Sequence, residues 1–176
     1  MKNLSKLIAL ACTAAALLFT NNAKAQTTPA KALNFNIGLE TGVPTGAESP
    51  RGTFELGGTA RLQYGVSNSF AITLTSGLYN FFGKEKPNGT GPYPDLDVIP
   101  LKAGIKAFFS PNIYLGAEAG AGFVQNNGNT KFIWSPAIGY ASKRWDVGLR
   151  YESFSGDHNG TDITYGLVGL RLAYGF

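Results

Sequence analysis

Apolar and polar residues alternate along most of this chain with a period of two. The C-terminal stretch shows it most cleanly. Phe176, Tyr174, Leu172, Leu170 and Val168 share one parity, while Gly175, Ala173, Arg171 and Gly169 share the other. Successive strand side chains point to opposite faces, so residues 163–176 predict a strand with one apolar face and one small, charged face. Seven earlier segments repeat the pattern, each with its own apolar parity. In the first this parity holds Leu33, Phe35, Ile37 and Leu39, and in the second Phe54, Leu56, Ala60, Leu62 and Tyr64. The third has Phe70, Ile72, Leu74 and Leu78, the fourth Ile99, Leu101, Ala103, Ile105 and Phe109, and the fifth Ile113, Leu115, Ala117, Ala119, Ala121 and Phe123. The sixth has Phe132, Trp134, Ile138 and Tyr140, with Pro136 among them, which cannot donate to a ladder. The seventh has Trp145, Val147, Leu149 and Tyr151. Residues 79–82 lose the alternation, which suggests a bulge there.

These eight strands are joined by connections of alternating length. Long loops fall at 41–52, 83–96, 125–130 and 155–162, and tight turns at 67–69, 110–112 and 142–143. An even strand count with long loops at one end and short turns at the other predicts an all-β, eight-stranded antiparallel up-and-down transmembrane β-barrel over 33–176. The aromatics support a wall that faces lipid. At the turn end the apolar parity carries Tyr64, Phe70, Phe109, Tyr140, Trp145, Tyr174 and Phe176. At the loop end it carries Phe54, Phe123, Phe132, Trp134 and Tyr151, with mostly aliphatic residues between the two bands. Rings of this kind sit at headgroup level. A soluble barrel that binds an apolar ligand is the alternative, but its core has no reason to sort aromatics to strand ends.

The opposite parity then lines a lumen. It holds five acids, Glu40, Glu55, Glu118, Asp146 and Glu152, and five bases, Arg61, Lys102, Lys106, Arg150 and Arg171. Eight strands leave an interior just wide enough for side chains to fill. Balanced charges in such a space should pair, because an unpaired buried charge is costly. Pairing Phe109 with Ile113 places Gly104 opposite Glu118, with Lys102 and Lys106 diagonal to it. A closed polar core is expected. A narrow path for small or hydrophobic solutes is the alternative, although a selective pore more often shows a ring of one sign.

Charge and the N-terminus refine this picture. Lys2 and Lys6 precede an apolar run over 7–19 that is too short to span a bilayer as a helix, and Ala23-Lys24-Ala25 is a small-x-small cleavage site. Residues 1–25 are therefore expected to be a signal for Sec export, cleaved near Ala25, with 26–32 a short periplasmic leader. Removal of Lys2, Lys6 and Lys24 leaves twelve of the fifteen basic residues against eleven acidic ones, so no basic footprint for nucleic acid remains. The only cysteine, Cys12, leaves with the signal, which excludes disulfides and thiolate metal sites in the mature chain. Charged residues make up only 15% of the chain, well below the usual quarter, as a wall with one apolar face requires.

The stretches Asp97-Val98-Ile99-Pro100-Leu101-Lys102-Ala103-Gly104-Ile105-Lys106, Ile113-Tyr114-Leu115-Gly116-Ala117-Glu118-Ala119-Gly120, Ser135-Pro136-Ala137-Ile138-Gly139-Tyr140 and the terminal Tyr174-Gly175-Phe176 resemble the small outer-membrane β-barrel domain family, the OmpX/OmpA-like group. The resemblance covers essentially the whole mature chain. It implies residence in the outer membrane of a Gram-negative bacterium, with outer-membrane lipid as the surroundings. It also implies that Tyr174 and Phe176 are read by the barrel-assembly machinery. Nothing in the sequence resembles the peptidoglycan-binding domain that OmpA-type proteins carry after the barrel. Members of the group include adhesins, channels and enzymes, so activity is not implied. An extracellular ligand would be met through loops 41–52 and 83–96.

One stretch, Glu152-Ser153-Phe154-Ser155-Gly156-Asp157-His158, brings nucleophile, base and acid types together. In a lipid-modifying enzyme His158 would be the base, Ser155 or Ser153 the nucleophile, and Asp157 or Glu152 the group that orients the ring. Ordinary turn chemistry explains the same residues, and neighbours in one loop seldom form a working triad, so no catalytic site is assigned. A single histidine gives no metal site, and Asp95 and Asp97 read as turn residues. The glycine-rich stretches lie between strands and open no helix, so they cradle no phosphate. No cofactor is expected.

Overall fold

The computed structural model describes residues 30–45, 52–86, 88–125, 129–158 and 161–176, and for 157, 158 and 161–163 the backbone alone. The expected signal, the start of the leader and the tip of the first loop lie outside the described residues.

Eight strands form: β1 (Leu33–Thr45), β2 (Gly52–Ser67), β3 (Phe70–Gly83), β4 (Leu96–Phe108), β5 (Ile113–Val124), β6 (Thr130–Ala141), β7 (Trp145–His158) and β8 (Thr161–Gly175). Each pairs antiparallel with the next, and β1 pairs with β8 from Asn36↔Gly175 to Thr45↔Gly166, so the sheet closes into a barrel with no free edge. The tight turns join β2 to β3, β4 to β5 and β6 to β7, all at the end of the barrel that holds Leu33 and Phe176.

The wall sorts as the alternation dictates. Outward residues include Ile37, Leu39, Leu74, Leu101, Leu115, Ile138, Leu149 and Leu172, all exposed. The inward parity is buried and largely polar, including Thr59, Thr75, Lys102, Ser135 and Arg171. The exterior is thus more apolar than the interior, the reverse of a water-soluble barrel.

Two details differ from the sequence reading, and a third, the proline within the sixth strand, agrees with it at a local cost. First, β1 runs on through 41–45, so the first loop begins beyond Thr45 instead of at 41. Pairing with β8 carries the strand through Pro44, which sits opposite Leu167. The second loop is 84–95 rather than 83–96, because Gly83 pairs with Gly52 and Leu96 pairs with Phe81. It folds on itself: Glu85 bridges Pro92, and Lys86 N–H donates to Gly91 O at 3.1 Å. Most of the expected fourth loop at 155–162 is strand, because β7 runs to His158 and β8 begins at Thr161. Second, 79–82 form no bulge. The β3–β4 register is the same at Ser76↔Leu101 and at Tyr79↔Val98. Alternation fades in the sequence because Tyr79 and Phe81 are apolar residues that face inward, where both are buried. The irregularities lie instead at the two ends of β2, between Gly52 and Phe54 and between Gly65 and Ser67. Third, Pro136 is held in a regular strand opposite Ala117. The cost appears on its other side, where pairing with β7 lapses between Trp134↔Ser153 and Ala137↔Arg150 without a change of register.

Candidate functional site

The interior is stacked in layers. Its middle is an ionic network in which all ten inward charges take part. Arg61 meets Glu118 at 2.9 Å, and Lys102 meets Glu118 at 3.8 Å and Glu152 at 2.9 Å. Arg150 pairs with Glu152, with Glu40 at 3.0 Å and with Glu55 at 2.9 Å. Arg171 meets Glu40 at 3.2 Å and Asp146 at 3.6 Å, and Asp146 returns to Arg61 at 3.8 Å. The chain of contacts therefore closes on itself, with alternating sign at every step. Lys106 joins it through Asp146.

Local strand pairing explains part of this geometry. Gly104 lies opposite Glu118, which leaves room for the carboxylate, and Lys102 reaches it diagonally. Lys106, equally near in the β4–β5 ladder, turns away and crosses the lumen to Asp146 on β7. Asp146 also accepts from the Tyr114 hydroxyl at 2.7 Å, and the Lys106 ammonium lies 4.1 Å from the centre of the Tyr114 ring. Hydroxyls complete the middle layer. Thr59 donates to Glu40 Oε1 at 2.7 Å, and Thr73 and Thr75 donate to Glu118 Oε1 at 3.0 and 2.8 Å.

Apolar groups cap this layer toward the loop end. Tyr79, Phe81, Val98, Val124, Ile133, Phe154 and Leu167 form one buried cluster, with Leu96 and Tyr165 packed against it. Phe154 stacks on Tyr165 at 5.0 Å, and Phe81 meets Phe154 edge-on at 5.6 Å. At the turn end Phe108, Tyr114 and Ala141 make a smaller cluster. The sequence reading missed both caps. The signal for them was the run of apolar residues on both parities at strand ends, as in Phe81-Phe82, Val98-Ile99, Ile133-Trp134 and Leu167-Val168. Of the cavities described, one among the lumen charges measures about 20 Å³ and one at the turn-end mouth about 10 Å³, on the scale of single waters.

The hydrolase-like stretch on β7 does not assemble among the described side chains. Glu152 points into the lumen and is paired with Lys102 and Arg150, so it is not free to orient a histidine. Ser155 accepts a hydrogen bond from the Thr164 hydroxyl at 3.1 Å. The side chains of Asp157 and His158 lie outside the described residues. Among the described residues no group of three or more His, Cys, Asp or Glu side chains could hold a metal ion.

Tyr174 and Phe176 sit on the outer wall beside the barrel closure. Their rings meet at 5.2 Å, Tyr174 contacts Trp145 at 5.2 Å, and Phe176 contacts Phe35 at 6.3 Å. The Phe176 N–H donates to Phe35 O at 2.9 Å, so the last residue continues the β8–β1 seam.

No protein-family model and no curated protein sequence matches this chain. Solved structures share its fold. The outer-membrane protein Ail of Yersinia pestis in a phospholipid nanodisc aligns with a TM-score of 0.54 at 13% identity, over 82% of this chain and 98% of its own. The N-terminal β-barrel domain of Pseudomonas aeruginosa OprF aligns at 0.53 and 13% identity, over 81% and 97%. A de novo designed transmembrane β-barrel aligns at 0.52 and 14% identity, over 86% and 100%. The chain thus has the fold of the small eight-stranded outer-membrane barrels.

Proposed function

We propose that the protein is an integral outer-membrane β-barrel of a Gram-negative bacterium, without catalytic activity, that holds four loops at the cell surface for envelope integrity or surface interaction. The observation that carries this reading is the inversion of polarity. A belt of exposed Leu, Ile and Val encircles the closed sheet, while ten charges lie inside it. Lipid is the surrounding that makes such a wall favourable, since water would leave the whole belt wet. Tyr64, Tyr140 and Trp145 at the turn end and Phe54, Phe123, Phe132 and Tyr151 at the loop end are exposed on the same wall, at the levels where headgroups would lie. The turn end, with its short connections, faces the periplasm in this reading, and the signal over 1–25 would deliver the chain there. In the same reading Tyr174 and Phe176 are the residues that the barrel-assembly machinery would recognise.

The interior supports a scaffold over a channel. A solute would have to break a cycle of ion pairs and part an aromatic cap. The loops therefore carry the interaction, chiefly the self-bridged 84–95 segment and the connection beyond Thr45.

The test is gel migration of the protein from an outer-membrane fraction, with and without boiling in SDS. A faster unboiled band in that fraction supports the reading. Recovery in the soluble periplasmic fraction with no shift overturns it. Stepwise conductance in planar bilayers would replace the scaffold with a pore.

A further inference from the structure

The ten lumen charges balance in total, but they do not fill the interior evenly. Toward the loop end Glu40, Glu55 and Glu152 surround Arg150 and Lys102. Toward the turn end Arg61, Lys106 and Arg171 share Asp146 and Glu118. Glu40 and Arg171, cross-strand partners at 3.2 Å, and Lys102 and Glu118 at 3.8 Å tie the two groups together. The cavity of about 20 Å³ lies at the second group. Of its charged lining residues four are cations, Arg61, Lys106, Arg150 and Arg171, and one is a carboxylate, Glu118. Thr73, Tyr114 and Ser135 add hydroxyls.

Arg171 supplies an independent observation. It is 3% exposed, and neither Nη1 nor Nη2 has a hydrogen-bond acceptor. Nη1 has only the 3.6 Å ion-pair approach to Asp146. Buried guanidinium N–H groups without acceptors are costly, and an acceptor inside the cavity they line removes that cost. The volume exceeds the roughly 10–15 Å³ that one water needs, so a particle of about that size fits.

We infer that this cavity is a binding site for one small monovalent anion of halide size, held by Arg171, Arg61 and Lys106. The anion accepts from the Arg171 N–H groups that have no hydrogen-bond acceptor, beside the charges of Arg61 and Lys106. A route to it is visible. A second cavity of about 10 Å³ at the turn end is lined by Lys143, Arg144, Asn36, Gln63, Asp146 and the same Lys106. The Lys106 side chain lines both the basic mouth and the inner site, so its movement would open one toward the other. The inference needs only the folded barrel and is independent of where the protein resides.

The test uses the protein refolded in detergent and unfolded in urea, with the folded fraction read from unboiled gels. Sodium gluconate is replaced stepwise by sodium bromide at constant ionic strength. Ala137→Val is the reference variant, because Ala137 lines the cavity and a larger side chain fills it while every charge stays. The wild-type midpoint is expected to gain on that of Ala137→Val in proportion to the logarithm of bromide concentration. A constant difference between the two overturns the inference. If Ala137→Val gives no folded band, Arg171→Gln serves as the reference with the same two outcomes. In crystals grown in bromide, an anomalous peak beside Arg171 supports the site, and ordinary water density without anomalous signal there overturns it.

Discussion

Tyr79 donates its hydroxyl hydrogen to Glu40 Oε2 at 3.0 Å and accepts one from Lys102 Nζ at 2.8 Å. It stands where the aromatic cap meets the charged middle of the lumen: its ring belongs to the apolar cluster and its oxygen to the ionic network. Tyr79→Phe keeps the ring and removes only the oxygen. Glu40 and Lys102 then each lose a partner in a fully buried setting, with a cost of about 1–3 kcal/mol. Urea titration of the refolded protein should show a lower midpoint with an unchanged slope.

Arg150 holds more of the network than any other cation described, since it faces Glu40, Glu55 and Glu152 together. Arg150→Met leaves three buried carboxylates short of charge and is expected to destabilise the barrel by about 3–5 kcal/mol. A second change, Glu55→Gln, removes one orphaned charge and should recover part of the loss. A double variant no more stable than Arg150→Met would show that Glu55 is neutralised by something other than Arg150.

The alternation at Leu33, Phe35, Ile37 and Leu39 and at Trp145, Val147, Leu149 and Tyr151 was enough to read the strands, their faces and the closed barrel. Period two is a local property that pairing does not alter. The alternating connection lengths carried the topology. The inner caps escaped notice because Tyr79 and Phe81 are apolar on the inward parity, next to the outward apolar Leu78 and Phe82. A strand end that is apolar on both sides looks irregular in one dimension. Lys106 shows the second limit. Neighbouring-strand geometry places it near Glu118, yet its partner Asp146 lies across the lumen on β7, which does not pair with β4, so the contact depends on how the sheet curves. Pro44 misled for a third reason: proline reads as a loop residue, but here it sits near the end of β1, where few ladder bonds remain to be lost.

Two glycines make the slot that Tyr114 occupies. A Cβ at Gly139 would lie 2.5 Å from Tyr114 Cζ and hydroxyl oxygen, and one at Gly148 would lie 2.9 Å from that oxygen. The ring cannot swing aside cheaply, because its hydroxyl is bonded to Asp146 and the residue is 2% exposed. Gly139→Ala is therefore expected to cost about 1–3 kcal/mol through overpacking. Adding Tyr114→Leu removes the atoms that collide, so the same Gly139→Ala step should cost less in that background. Equal costs in the two backgrounds, read by urea titration, would mean that the slot does not set the position of Tyr114.

The reading of the outer wall as lipid-facing makes the sharpest prediction. Leu170 lies midway along β8, opposite Leu149 on one side and Thr41 on the other, and is 54% exposed. On a soluble barrel an exposed Leu→Arg change away from special features stays within about 0.5 kcal/mol. At the middle of a bilayer the same change costs about 2–4 kcal/mol, falling to about 0–1 near the interfaces. Leu33 is the internal control, being 68% exposed at the first residue of β1 and level with the turn-end aromatics. Refolded into lipid vesicles, Leu170→Arg should be strongly destabilised and Leu33→Arg hardly at all. If the two variants unfold at the same denaturant concentration, depth in a bilayer does not govern this wall, and the apolar belt must be covered by protein instead.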